Sequence, residues 1–174
     1  MRPAVFLDRD GTLIEERGYI GDPAQAVFLP QTFSALAALQ KHFLLVIVTN
    51  QSGVGKGLIR RDDVDRVNRF VADELRRRGI VLTDTLVCPH AREEECPCHK
   101  PSPHLALRAA ERYGIDLARS YAVGDHPHDV EFADNFGGTG IYVLTGHGEK
   151  HRAALRPGAV VAADIGSAAE WILG

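Results

Sequence analysis

The sequence predicts an α/β fold: a three-layer sandwich on a mainly parallel sheet. Three observations carry that expectation. Short apolar strands alternate with amphipathic helical patterns, a βαβα rhythm that puts helices on both faces of a parallel sheet. The run Leu44–Val48 is apolar throughout and rich in β-branched residues, as a strand buried on both sides must be. At 174 residues, 45% hydrophobic and 25% charged, the chain suits one globular domain, residues 1–174, with a real core.

The elements follow in order. Val5–Leu7 is the first strand. Thr32–Lys41 has helical spacing, with Thr32 as its cap and Phe33, Leu36 and Ala37 on one face. Leu44–Val48 is the second strand. Asp62–Arg78 is the clearest helix: Asp62 caps it, Val64, Val67, Val71 and Leu75 form a stripe, and Gly79 ends it. Thr85–Val87 is a third strand. Ser102-Pro103 opens a helix with an N-cap and a first-turn proline, and Gly114 closes it. Tyr121–Val123 and Ile141–Leu144 are two further strands, and Gly166–Leu173 is a terminal helix. Together they describe a Rossmann-like sandwich without internal repeats.

Composition excludes several classes of function. The formal net charge is −3, and the basic runs Arg60-Arg61 and Arg76-Arg77-Arg78 are short solvated positions, which argues against a nucleic-acid partner. No apolar stretch is long enough to span a bilayer, and Met1-Arg2-Pro3 leads directly into a core strand without signal-peptide architecture. The expectation is a cytoplasmic, monomeric protein. The three cysteines all lie between Cys88 and Cys98, and an odd, clustered count points to metal rather than a disulfide framework.

Three strands end in polar residues of special type. The first runs into Asp8-Arg9-Asp10-Gly11-Thr12, the second into Thr49-Asn50-Gln51-Ser52-Gly53, and the fourth into Gly124-Asp125, with Asp129 four residues on. In a parallel sheet these tips share one edge, where open α/β sheets bind ligands. Asp-Gly is also an ordinary turn pair, so the first motif gains its meaning from the others. Lys100 precedes Pro101 and the Ser102-capped helix, adding an ammonium group to the same crevice. One acid of the pair can attack while the other handles protons, or both can help hold a metal.

Phosphoryl transfer needs this set. A phosphate monoester dianion repels a carboxylate nucleophile, and bound Mg²⁺ removes the repulsion. Asp8 and Asp125 supply the hard oxygen ligands that Mg²⁺ prefers. Thr49 and Asn50 can donate to phosphate oxygens, and Lys100 can balance charge on nucleophile and phosphate. A P-loop reading of Gly53-Val54-Gly55-Lys56-Gly57 fails, because Asn50 stands where the first Gly belongs and Gly57 where Ser or Thr should follow the lysine. Lys56 is then a positive group near the pocket mouth.

The loop 88–101 carries its own chemistry. Cys88-Pro89-His90 and Cys96-Pro97-Cys98 give C-x-H-x5-C-x-C, three thiolates and an imidazole suited to a closed, structural zinc site. Arg92, Glu93, Glu94 and Glu95 make the loop polar, so it has no apolar core. Metal binding supplies on the order of 10 kcal/mol in small zinc modules, enough to fold such a loop and fix Lys100 beyond it.

The ordered set D-x-D-G-T, a strand ending in T-N, K-P and G-D-x-x-x-D resembles the haloacid dehalogenase superfamily of phosphatases, over Val5 to Asp129. The resemblance implies a fold of capless haloacid dehalogenase type. It implies Asp8 as a nucleophile forming an aspartyl-phosphate, and Asp10 as the acid that protonates the leaving oxygen and then activates water. Thr49 would bind the transferring phosphate and Lys100 would orient and neutralise. Asp125 would complete a Mg²⁺ site with Asp8 and the Asp10 carbonyl, and Asp129 would reach the ion through water or brace a neighbour. C-x-H…C-x-C-x-K-P, the Thr49–Gly53 segment and the short span from Asp10 to Thr49 are similar to the zinc-containing phosphatases of D-glycero-D-manno-heptose 1,7-bisphosphate, which cleave at C7, and to their relatives acting on histidinol phosphate. Substrate selection for a small phosphorylated metabolite would fall to the loops 15–27 and 52–61 and the zinc loop, with Asn50, Gln51, Ser52, Lys56 and His99 as contacts. Two departures stand out. The heptose enzymes carry Arg before the Lys-Pro, where it grips the distal phosphate, and here it is His99. His126 and His128 flank the expected Mg²⁺ site. Other readings are a 3′-phosphatase acting on nucleic-acid ends, admitted by an open site, and a non-catalytic zinc protein on the same scaffold.

Overall fold

The computed structural model describes residues 1–174. Six strands form one sheet: β1 (Ala4–Leu7), β2 (Leu44–Asn50), β3 (Asp84–Cys88), β4 (Tyr121–Gly124), β5 (Thr139–Val143) and β6 (Val160–Ala162). They are all parallel, in the order β3-β2-β1-β4-β5-β6. The helices are α1 (Thr32–Leu39), α2 (Ser52–Gly55), α3 (Arg61–Arg77), α4 (His104–Tyr113), α5 (Pro127–Phe136), α6 (Gly148–His151) and α7 (Ile165–Leu173).

The strand period of two sorts the core into two layers. Val5, Leu7, Leu45, Ile47, Val123, Ile141 and Val143 face α1, α3 and α7. Ala4, Phe6, Val46, Val48 and Ala122 face α4 and α5, where Phe6 meets Phe132 edge-on. Burying each such Val, Leu or Phe contributes about 1.5–3 kcal/mol. With both faces covered, the central strands are apolar at every position, and polar residues enter only where the strands end.

Several sequence expectations shift by a turn or less. Thr32 is the first residue of α1 and not its cap; its buried hydroxyl donates to the Leu13 carbonyl at 2.7 Å. On α1, Thr32, Ala35, Leu36 and Leu39 are buried, while Phe33 and Ala37 pack at the edge of the core. Asp62 does not cap α3: the Asp63 carboxylate accepts from the Arg60 N–H at 2.9 Å, and Asp62 is exposed. Pro103 occupies the N-cap position of α4, and the Ser102 hydroxyl accepts from His104 N at 3.4 Å. Gly79 and Gly114 do close their helices with positive φ, +74° and +65°. Strand β6 and the helices α2, α5 and α6 were not expected; β6, α2 and α6 are three- and four-residue elements that leave no periodicity to read, whereas α5 is a ten-residue helix.

The order reverses at β1. Its crossover to β2 goes one way and β4 lies on the other side, which makes the C-terminal end of β1 a topological switch point. Register brings the tips level: Leu7 pairs with Ile47 and with Val123, and Asn50 with Cys88.

Candidate active site

Asp8 is the first residue beyond β1, and its N–H is held by the Val123 carbonyl of β4 at 2.9 Å. Asp125 follows the last residue of β4. Gly124 is needed there, since a Cβ would stand 2.1 Å from the Asp129 carboxylate that folds back from the first turn of α5. Gly11, with φ +80°, turns the chain away, and a Cβ on it would lie 2.1 Å from Asp125 Oδ2.

Lys100 arrives from beyond the zinc loop and is only 4% exposed. Its Nζ donates to Asp8 Oδ1 at 2.7 Å, Asp129 Oδ1 at 2.6 Å and the Val48 carbonyl at 2.8 Å, so all three ammonium protons are used. Asn50 grips its backbone: Asn50 Oδ1 accepts from Lys100 N at 3.1 Å, and Asn50 Nδ2 donates to Lys100 O at 3.4 Å. The Asn50 amide thus holds Lys100 and keeps one N–H free, and Asn50 lines the cavity.

Charge in this crevice is unbalanced. Asp8, Asp125 and Asp129 place carboxylate oxygens within 4.8 Å of one another. Burial pushes the Asp8 carboxyl up to about 7, with Lys100 opposing and Asp129 adding to the rise. Burial, and then the Asp8 charge, push Asp125 up to about 8. For Lys100, burial disfavours the ammonium, but Asp129 and Asp8 outweigh it and hold its pKa above the ordinary lysine value. Three buried carboxylates against one ammonium is a donor set that fits a hard divalent cation. Asp129 has both oxygens engaged, by Lys100 and by the His126 N–H at 3.1 Å, which makes it a brace. Asp8 and Asp125 keep open lone pairs, although Asp125 Oδ2 also accepts from His147 N at 2.7 Å.

Asp10 lies beside this cluster. Gln51 Nε2 donates to Asp10 Oδ2 at 2.7 Å and to Thr49 Oγ1 at 2.9 Å, so the Gln51 amide organises the site, while the Thr49 hydroxyl keeps its own proton to donate. The residues open into a cavity of about 710 Å³ lined almost entirely by polar and charged groups. Ser52, Lys56 and His99 line it. Lys56 donates to Tyr19 Oη at 3.1 Å, tying the loop 15–27 to the loop after α2. Arg92, read from the sequence only as a polar residue of the zinc loop, also lines the cavity, as do Arg17 and His147, which the sequence does not single out. Arg17 belongs to the loop 15–27, to which the sequence assigns substrate selection; His147 sits on a turn with no motif. His126 and His128 line the cavity rather than the outer surface. Burial, then His128, lowers His126 to about 4, and burial likewise lowers His128 and His99, so these imidazoles favour the neutral form.

The loop thiols converge as the spacing predicts. Cys98 Sγ is 3.0 Å from Cys88 Sγ and 3.8 Å from Cys96 Sγ, Cys88 and Cys96 are 3.6 Å apart, and His90 Nδ1 is 3.3 Å from Cys98 Sγ. Thiolates on a tetrahedral zinc sit about 3.8 Å apart, from Zn–S bonds near 2.3 Å. The donor set fits zinc, with the Cys88–Cys96 and Cys96–Cys98 edges near that length and the Cys88–Cys98 edge shorter, and the cysteines are free thiols. Burial, then the hydrogen bond to Cys98, pushes the Cys88 thiol up, a penalty that a coordinating cation reverses. His99 Nδ1 lies 3.8 Å from Cys88 Sγ, which links this loop to the cavity wall.

Comparison with known proteins decides the family. The D-glycero-beta-D-manno-heptose-1,7-bisphosphate 7-phosphatase of Vibrio cholerae is 38% identical over 154 residues, 83% of each chain. The chain is a phosphatase of the haloacid dehalogenase superfamily. The HAD-hydrolase-like family model matches residues 97–168 of it. The crystal structure of D,D-heptose 1,7-bisphosphate phosphatase from B. bronchiseptica, complexed with magnesium and phosphate, superposes on the phosphatase with a TM-score of 0.90 at 33% identity, over 99% of this chain and 98% of that one. A histidine biosynthesis bifunctional protein of Actinobacillus pleuropneumoniae is 34% identical over 152 residues, 86% of this chain but 41% of its own length.

Proposed function

We propose that the phosphatase removes the C7 phosphate of D-glycero-D-manno-heptose 1,7-bisphosphate through an aspartyl-phosphate on Asp8, and that residues 1–174 form one catalytic domain. The observation that carries the mechanism is the Lys100 ammonium held between Asp8 and Asp129 at 2.7 and 2.6 Å. It ties the nucleophile to Asp129 in the first turn of α5, four residues beyond Asp125, and opposes the rise that burial imposes on the Asp8 carboxyl.

An Asp8 carboxylate oxygen attacks phosphorus as the bond from phosphorus to the sugar oxygen breaks. Asp10 gives its proton to that departing oxygen. Asp10 then takes a proton from water, whose oxygen attacks the same phosphorus. The bond to Asp8 breaks, releasing inorganic phosphate and the original carboxylate. Thr49 donates to an oxygen of the transferring group. Mg²⁺, held by Asp8, Asp125 and the Asp10 carbonyl, supplies charge neutralisation for the dianion when bound. Zinc, held by Cys88, His90, Cys96 and Cys98, supports Lys100 and His99 and takes no part in the chemistry.

Substrate choice rests on the heptose phosphatases named above and on the cavity. Its lining includes Lys56, Arg92 and His99, which can meet a second phosphate in place of the family's arginine. Histidinol phosphate is the second ester to test, since the histidine biosynthesis relative named above aligns over less than half its own length. The reading takes the enzyme to act in the cytoplasm as a monomer on a small metabolite. The experiment is phosphate release from the heptose bisphosphate, histidinol phosphate, a 3′-phosphorylated oligonucleotide and generic sugar phosphates. The heptose ester should give the highest kcat/KM; a flat profile overturns the substrate. Asp8→Asn should lose at least roughly 10³-fold in kcat, and unchanged release overturns the mechanism.

A further inference from the structure

The apolar stripe of α3 has one polar break. Val64, Val67, Val71 and Leu75 are buried, and among them lies Asn68, 9% exposed. A buried amide at a helix–sheet interface costs stability unless it is paired. Asn68 Oδ1 accepts from Arg9 Nη1 at 2.7 Å.

Arg9 stands between the two acids of D-x-D-G-T and is fully buried. Two of its other donors go to a single group: Nε to Asp10 Oδ2 and Nη2 to Asp10 Oδ1, both at 3.2 Å. A planar guanidinium grips a carboxylate with two prongs only in one plane. Asn68 pulls on the third edge of that plane and stops it turning. Gln51 approaches Asp10 Oδ2 from the opposite side at 2.7 Å. A buried ion pair is seldom kept for stability, because apolar replacements of equal volume do as well or better. What this pair supplies is orientation.

We propose that Arg9 and Asn68 are positioning residues: α3, through Asn68, aims the Arg9 fork, and with Gln51 the fork holds the Asp10 carboxyl at the angle that proton transfer to the leaving oxygen requires. The proposal rests on the reading of Asp10 as the general acid. It makes α3, a helix that contributes nothing else to the chemistry, a support for the proton-transfer step.

The test uses leaving groups. An alkyl alkoxide needs a proton as it departs, whereas p-nitrophenolate does not, and kcat/KM reports the steps up to that departure. Asn68→Leu and Arg9→Lys should each lower kcat/KM roughly 10- to 100-fold on an alkyl phosphate and less than about threefold on p-nitrophenyl phosphate, within the range that general acids contribute. Asn68→Asp keeps the acceptor and should restore the alkyl ester rate to within a few fold. A merely structural role would depress both esters alike, with a lower Tm. Equal losses on the two esters, or none, in whichever of the two variants folds, overturn the proposal. Asp10→Asn separates the readings: if it too is blind to the leaving group, the acid assignment falls, and if it alone discriminates, only the positioning role falls.

Discussion

Replacing Lys100 by Met removes the one cation from a buried group of three carboxylates. Lys100 Nζ lies 2.7 Å from Asp8 and 2.6 Å from Asp129. At an effective dielectric near 20, each such contact is worth about 6 kcal/mol of attraction. Desolvation of the ions offsets much of it, and breaking a buried pair from one side costs about 3–5 kcal/mol. In a domain of this size that is a fall in Tm of roughly 6–20 °C. The fall must depend on pH. Lys100 opposes the rise of the Asp8 carboxyl, which stands at about 7, so without Lys100 it rises further and a proton replaces the lost cation at lower pH. Thermal denaturation of metal-free Lys100→Met should therefore show the full loss near pH 8.5 and a much smaller one near pH 6. A Tm within about 2 °C of the parent near pH 8.5, or a fall that ignores pH, would refute the electrostatic reasoning.

Two further outcomes follow from the charge and the thiols. Metal-free Asp8 and Asp125 have carboxyls raised to about 7 and about 8, above the 3.8 of an unfolded chain. A raised carboxylate contributes stability that is complete below the unfolded value and is lost as pH rises through the folded one. Mg²⁺ binds the ionised pair, so at about 100 times its Kd it should raise Tm by roughly 5–10 °C near pH 8.5 and clearly less near pH 6; equal shifts in calorimetry would exclude these two residues as its ligands. Cys98→Ser should lose bound zinc by elemental analysis, lower Tm by at least roughly 10 °C and reduce activity through Lys100, two residues away. Full activity after chelation of the native protein would detach the loop from the site.

Much of this molecule is legible in its sequence because it rests on periodicity and on residue chemistry. The apolar runs of β1 and β2 and the stripe Val64, Val67, Val71, Leu75 declare their elements, since a strand covered on both faces and a helix covered on one can be written in few other ways. The acids, Lys100 and the thiol spacing declare their chemistry because few other residues perform it. Boundaries were less legible. Asp62 looks like the cap of α3, but the helix starts one residue earlier, and Asp63 in its first turn accepts from the Arg60 N–H.

Tertiary structure alone decided where polar side chains spend their hydrogen bonds. Asn50 looks like a phosphate donor and Gln51 like a substrate contact in sequence, yet one holds Lys100 and the other holds Asp10 and Thr49. Asn68 looks like a flaw in an apolar face and proves to be the partner of Arg9, 59 residues away. Local sequence encodes what a residue is able to do. Which of those abilities it uses depends on the few groups that long-range packing brings within 3 Å, and burial then makes those pairings obligatory.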